Sequence, residues 1–144
     1  MTNEILIFEL KEFNEKYLNP IRELLLRLSS SPIEFNAETL TEIVCSENSH
    51  IFIAEYNDKV CGMLTLAHYP APTGRKLWIE DVVVDTSVRG KSIGRKLVEC
   101  ATARAKEIGG TLMLTSKPAR VAANALYRSA GFEQKETNVY KMKV

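Results

Sequence analysis

Apolar and polar residues fall into blocks along the chain, and their period switches between two and about 3.6 residues. Ile5 to Leu10 alternates and opens with β-branched residues, which predicts a first strand. From Phe13 the spacing turns helical, with Tyr17, Leu18, Ile21, Leu24, Leu25 and Leu28 on one stripe. Asn19-Pro20 reads as an N-cap followed by proline at the first helical position, and Ser29 to Pro32 ends the helix. Asn36 caps a second, shorter helix whose apolar positions are Leu40, Ile43 and Val44, closed by Glu47 to His50. Ile51 to Tyr56 and Val60 to His68 then read as a hairpin around an Asn57-Asp58 turn. Tyr69 to Gly74, with two prolines and a glycine, is a loop long enough to border a pocket, and Lys76 to Val84 is the third strand of the meander. Asp85 to Val88 leads into a helix from about Gly90 to Ile108, buried along Ile93, Leu97, Cys100 or Ala101, and Ile108. Gly109-Gly110 stops it. Thr111 to Thr115 is a further strand, Arg120 to Ala130 a last helix ended by Gly131, and Phe132 to Gln134 with Thr137 to Met142 a terminal pair of strands.

The order β-α-α-β-β-β-α-β-α-β-β is an α/β (α+β) pattern. Strand 76–84, helix 90–108 and strand 111–115 form a β-α-β unit, which requires one parallel pair inside an antiparallel meander. The expected architecture is a central mixed, mostly antiparallel sheet flanked by helices. At 144 residues without repeats or linkers, the expectation is one domain over 1–144. A net charge of +1 argues against a nucleic-acid surface. Cys45, Cys61 and Cys100 are widely spaced, form no CxxC pair and lie in apolar segments, so buried reduced thiols in a cytoplasmic protein are expected. With His50 and His68 as the only histidines, no metal site is expected. Met1 to Leu10 lacks the charged start and long apolar core of a signal peptide. No apolar run approaches the ~18 residues of a membrane span, so no membrane association is expected.

Three stretches carry candidate chemistry. Arg89-Gly90-Lys91-Ser92-Ile93-Gly94 places small residues where backbone must approach an anion, at a helix N-terminus whose N–H groups lack intrahelical acceptors. Arg89, Lys91, Arg95 and Lys96 add positive charge. A nucleotide-binding P-loop would need another glycine five residues before Gly90, where Asp85 stands. Taken alone, the stretch reads as an anion site or as a tight turn with a solvated basic face. Asn124 and Tyr127 are three apart, on one helix face. They read as a hydrogen-bonding pair facing a pocket or as a surface amide beside a half-buried tyrosine. Glu80 and Asp81 interrupt an apolar strand, and alternation is expected to send them to opposite faces. Partial burial raises a carboxyl pKa, which makes either a candidate general base. Pairing with Arg75 or Lys76 is the alternative.

Together these stretches resemble the Gcn5-related N-acetyltransferase (GNAT) family. Its acetyl-CoA signature runs Gln or Arg, two variable residues, Gly, one variable residue, then Gly or Ala. Arg89 and Gly94 match, while Ser92 stands at the inner glycine, a change expected to be tolerated if the backbone there keeps a negative φ. Asn124, Tyr127 and Gly131-Phe132 resemble the second signature, and the element order agrees with the family fold. The resemblance implies acetyl-CoA as acyl donor and no metal. Its pyrophosphate would sit on backbone N–H groups from Arg89 through Gly90, Lys91, Ser92, Ile93 and Gly94 to Arg95. Its pantetheine arm would follow the strand edge at Val82, Val83 and Val84, with the thioester between strands 76–84 and 111–115. An amine would attack the thioester directly, with the Val82 N–H polarising the carbonyl. Tyr127 would protonate the leaving thiolate, Asn124 would hold the cofactor, and Glu80 would accept the amine proton through water. Glu80 is preferred to Asp81 because Ile79-Glu80-Asp81 before three valines looks like the matching strand of polyamine and glucosamine-6-phosphate acetyltransferases.

The function implied is N-acetylation of a primary amine on a small molecule, peptide or protein. The alternative is a non-catalytic CoA-binding regulatory module of the same fold, which would need neither Glu80 nor Tyr127. The acceptor pocket is expected from the early helices and the 69–74 loop. Asp81, Glu34 and Glu38 would favour a cationic acceptor and Arg75, Lys117 and Arg120 an anionic one, which leaves the acceptor open. Strand edges expected at the C-terminus leave room for a homodimer.

Overall fold

The computed structural model describes residues 4–88 and 90–144. Its strands are β1 (Ile5–Leu10), β2 (Ser49–Tyr56), β3 (Lys59–Tyr69), β4 (Lys76–Val84) and β5 (Thr111–Met113). Its helices are α1 (Leu18–Leu28), α2 (Ala37–Cys45), α3 (Ile93–Ile108) and α4 (Val121–Ser129). The chain divides into two units after Leu114. The first holds the sheet, in order β1-β2-β3-β4-β5, with every pairing antiparallel except the parallel β4–β5 pair. The β-α-β unit thus has the one parallel pair that a crossover helix demands.

Register and alternation sort the sheet into two apolar faces. Leu10, Ile51, Ile53, Met63 and Val83 pack with Tyr17, Leu18, Ile21 and Leu24 from the α1 side and Leu40 from α2. The other face is covered by α3, which buries Ile93, Leu97, Val98, Ala101 and Ala105. Gly62 on β3 is what lets α3 approach: a Cβ built there would lie 3.2 Å from Leu97 Cδ1 and 3.3 Å from Ile93 Cγ2.

Local chemistry explains the element ends. Asn36 caps α2 as expected, its Oδ1 accepting from the Thr39 N–H at 3.0 Å. Asn19 caps nothing. Asn14 caps a short 3₁₀ turn (Glu15–Tyr17) that runs directly into α1, and Pro20 sits inside the first turn of α1, where its missing N–H costs no helical bond. At the β2–β3 hairpin, Asn57 (φ 52°) and Asp58 (φ 63°) both take the left-handed conformation of a two-residue turn.

Two further expectations fail. Residues 132–144 form no strand. Every residue from Glu133 onward is exposed, including Val139, Tyr140 and Met142, so the alternation finds neither a ladder partner nor an apolar face to cover. The ground for expecting a strand-edge homodimer goes with those strands. The cysteines are also not uniformly buried: Cys61 is, Cys100 is half-buried and Cys45 is exposed at the end of α2. Burial, with the Asp85 and Glu55 carboxylates nearby, pushes the Cys61 thiol up to about 11, so it is an inert core group. No helix among the described residues is long and apolar enough to cross a membrane.

On the α3 face, a polar chain crosses three strands. Arg75 donates to His68 Nδ1 (2.8 Å), His68 and His50 meet through their Nε2 atoms (3.1 Å), and His50 Nδ1 contacts Glu9 Oε2 (2.9 Å). Arg104 of α3 closes it on Glu9 Oε1 at 3.6 Å. With both rings neutral, each donor meets an acceptor: Arg75 gives to His68, His68 to His50, and His50 to Glu9. Burial, then His50 and Arg75, lower the His68 pKa below its ordinary 6.5, with the Glu47 backbone opposing and Arg104 adding slightly. A depressed histidine leaves the unfolded chain holding more protons. Its stabilisation is therefore complete above about pH 6.5 and is lost as pH falls from there through the folded value. The thermal midpoint is expected to drop between pH 6.5 and 5 more steeply in the native chain than in His68→Gln, as measured by pH-resolved melting.

Candidate functional site

The site begins with an irregularity in β4. Met63 pairs with Val83 and Thr65 with Glu80, so Asp81 and Val82 together face the single residue Leu64. This is a β-bulge, and Asp81 occupies it with φ 53°, a left-handed conformation that a short polar side chain tolerates. The bulge resets the alternation. Leu77 and Ile79 lie on the α3 face, whereas Val83, two pairs further along, lies in the core beneath α1. The bulge interrupts the alternation right after Glu80, and both Glu80 and Asp81 are exposed. The strand environment still removes part of their hydration. Desolvation, followed by the Asp81 charge, raises the Glu80 carboxyl, and desolvation alone raises Asp81. Neither forms an ion pair with Arg75 or Lys76 among the described contacts; Arg75 is engaged with His68.

Beyond the bulge, one edge of β4 is open. Lys76, Leu77 and Trp78 pair with Thr111, Leu112 and Met113, and there the β4–β5 pairing stops. Among the described residues, Ile79 to Val84 have no sheet neighbour on that side, so backbone donors and acceptors there are available to an extended ligand. The same strand leads through Asp85 and a 3₁₀ turn (Thr86–Val88) to the N-terminus of α3. A Cβ built on Gly94 would touch Val84 Cγ2 at 3.8 Å, so the first turn of α3 lies over the end of β4.

The chemistry of that N-terminus suits an anion. No acidic residue stands in the first turn of α3 and no side chain caps it. Gly90 takes φ 82°, with no heavy atom within 4 Å of where a Cβ would be. Ser92 departs from expectation: its φ is 57°, left-handed, not negative. A serine held there costs about 1 kcal/mol or more against glycine, which is the physical reason glycine is usual at this place in the signature. Lys91, Arg95 and Lys96 follow in sequence, and Lys91 Nζ stands 4.7 Å from the centroid of the Tyr56 ring. Arg89 lies outside the described residues. Arg27, from the last turn of α1, reaches the connection before the loop, with Nη2 3.1 Å from Asp85 Oδ1 and Nη1 3.1 Å from Thr86 Oγ1.

The second unit holds Asn124 and Tyr127. Asn124 Nδ2 donates to the Lys117 carbonyl at 2.9 Å, tying α4 to the turn that precedes it. Tyr127 is buried, and its phenol is raised above 10.0 by burial, with Arg120 pulling partly back. The Gly131-Phe132 pair has a clear mechanical purpose. Phe132 N–H donates to the Tyr127 carbonyl (3.0 Å) and Gly131 N–H to that of Arg128 (3.1 Å), with Gly131 at φ 104°. This is a Schellman cap, and the Phe132 ring meets Tyr127 edge-on at 6.1 Å. Glycine ends the helix and phenylalanine braces the tyrosine.

Sequence reasoning missed Arg27, Tyr56 and the bulge. No local pattern announces a cation–ring contact across 35 positions of sequence, and the bulge shows only in the cross-strand register. Two polar residues in succession inside an apolar strand were the one available sign. Among the described residues, no group of three or more His, Cys, Asp or Glu side chains is placed to hold a metal ion.

Comparison with known proteins agrees with this fold. A putative acetyltransferase from Agrobacterium tumefaciens superposes with a TM-score of 0.83 at 25% identity, covering 96% of this chain and 99% of that one. Glucosamine-6-phosphate N-acetyltransferase from Arabidopsis thaliana gives 0.80 at 25%, covering 96% and 98%. An aminoglycoside N-acetyltransferase in complex with CoA shares the fold at 0.78 and 16%, covering 99% and 97%. No curated protein sequence matches significantly. The model of the acetyltransferase (GNAT) family matches residues 17–132, which takes in the bulged strand, the α3 N-terminus and the capped tyrosine helix, and the chain belongs to that family.

Proposed function

We propose that the protein is an acetyl-CoA-dependent N-acetyltransferase acting on a primary amine of a small molecule or peptide. The observation that carries this is the continuous run from the open, bulged edge of β4 to the uncapped, glycine-lined N-terminus of α3. An extended arm ending in a pyrophosphate needs both features, in that order. Acetyl-CoA would supply a thioester carbonyl open to amine attack and a thiolate leaving group. The backbone N–H groups from Gly90 to Arg95 would bind the pyrophosphate, with Lys91 adding charge. Val82, Val83 and Val84 would hydrogen-bond the pantetheine arm, and the Val82 N–H would stabilise charge developing on the carbonyl oxygen.

Glu80 would take the proton an alkyl ammonium must lose before it can attack. Its raised pKa makes it a better proton acceptor than an ordinary carboxylate. Tyr127, kept protonated by burial, would donate to the leaving sulfur, and Asn124 would hold the cofactor while fixing the turn at Lys117. Relatives that act on aminated sugars support a small amine as the acceptor class.

The test is calorimetric titration with acetyl-CoA, then thiol release across a panel of amines, aminoglycosides, amino acids and peptide N-termini. Saturable binding and amine-dependent release are expected; absence of binding at millimolar ligand would end the proposal. With the best acceptor, kcat/KM should rise with pH through a limb above the ordinary carboxylate value of 4.5, as Glu80 ionises. Glu80→Gln should lower kcat about 10- to 100-fold and remove that limb.

A further inference from the structure

The anion loop is gripped from two sides by residues that do not belong to it. On one side, the Arg27 guanidinium forks between Asp85 Oδ1 and Thr86 Oγ1, both at 3.1 Å. Asp85 is itself fixed: its N–H donates to the Cys61 carbonyl at 2.7 Å, and its Oδ1 accepts from the Ser87 N–H at 2.9 Å. The Val88 N–H returns to the Asp85 carbonyl at 3.2 Å. One arginine on α1 thus orders the connection that feeds the loop. On the other side, Lys91 lies over the Tyr56 ring at 4.7 Å. Tyr56 is the last residue of β2, paired with Ile5 on one side and Lys59 on the other, and the left-handed Asn57-Asp58 turn fixes that register. The backbone that carries the ring is thus paired with a strand on each side. An ammonium on a ring face still has an N–H directed away from the ring that can meet an anion.

We infer that Arg27 and Tyr56 are positioning residues that pre-order the anion loop of the free protein and so raise its affinity for the acyl donor. A loop already in place loses less conformational freedom when a ligand binds, and that saving appears directly in affinity. The inference rests on the donor reading above. It predicts an effect on donor affinity more than on turnover at saturation, because neither residue meets the reacting atoms.

Two measurements on the whole protein test it. The first needs no ligand: amide hydrogen exchange of Thr86 to Val88 and Gly90 to Gly94 should speed up in Tyr56→Leu and in Arg27→Met, while β2 and α3 amides keep their protection. The second is calorimetry with acetyl-CoA. Tyr56→Leu and Arg27→Met should each weaken binding about fivefold, and Tyr56→Phe, which keeps the ring face, should stay within about twofold of the native protein. If Tyr56 acts through Lys91, Tyr56→Leu should add nothing on a Lys91→Met background. Unchanged loop exchange in both variants overturns the grip, as does an undiminished effect of Tyr56→Leu when Lys91 is absent. Faster loop exchange in a protein that fails to bind acetyl-CoA would retain the grip and overturn the donor reading, and with it the stated effect on donor affinity.

Discussion

Tyr127→Phe is expected to lower kcat about 100-fold with little change in donor affinity, measured by thiol release at saturating acetyl-CoA and amine. The effect is electrostatic. Burial holds the phenol above its ordinary 10.0, so the hydroxyl carries its proton across the neutral range and is able to donate it. A thiol titrates near 8.5, so complete transfer from a free phenol of higher pKa would be uphill. In the proposed reaction the hydroxyl would therefore act mainly by stabilising charge as it builds on the departing sulfur, an interaction stronger in the transition state than in the ground state. Removing such an interaction lowers kcat and leaves KM nearly unchanged. The ring remains, so its edge-on contact with Phe132 and the cap at Gly131 survive, and the denaturation midpoint should barely move. Full turnover in Tyr127→Phe would remove the acid role. A large loss of stability would instead show that the hydroxyl is a structural group.

How much of this was legible in the sequence depends on whether the cause is local. Asn36 caps α2 and Asn57-Asp58 turns the hairpin because the residues that do the work are adjacent in the chain. The β4 and β1 boundaries were readable for the same reason: apolar alternation needs no partner to be visible. The bulge at Asp81 was not. It exists because β3 supplies one residue, Leu64, where β4 supplies two, and a single strand cannot show its neighbour's register. Alternation alone therefore could not show where the pairing breaks beside Glu80 and Asp81, although partial burial gave the right direction of their pKa shifts. Ser92 shows the opposite error. The loop was recognised by its glycines and charges, but the left-handed backbone at Ser92 is imposed by the geometry of the α3 start and opposed by its side chain. The C-terminal strands failed for a tertiary reason, since alternation at Val139, Tyr140 and Met142 creates a strand only where a ladder receives it.

Gly110→Ala is expected to destabilise the protein by about 3–5 kcal/mol, a drop of about 10 °C in thermal midpoint for a chain of this size. Two costs add. Gly110 sits at φ 131°, where a side chain strains the backbone. A Cβ there would also collide with the Arg75 carbonyl oxygen and stand 2.8 Å from Leu77 Cδ1. Neither neighbour can yield cheaply. The Arg75 carbonyl accepts the Thr111 N–H at 3.1 Å, the bond that starts β5 beside β4, and Leu77 is fully buried. The adjacent Gly109 is the internal control. It also has a positive φ, 86°, but nothing lies within 4 Å of its would-be Cβ, so Gly109→Ala should cost only the backbone share, about 1–3 kcal/mol. Equal midpoints for the two variants in urea would show that the Arg75 contact is not what fixes this turn. The expected inequality has a functional side. With only three β4–β5 pairs, displacement at Thr111 loosens the point from which the two strands part. Residual folded Gly110→Ala should then show a raised KM for the acyl donor as well as a lowered midpoint, whereas Gly109→Ala should leave that KM unchanged.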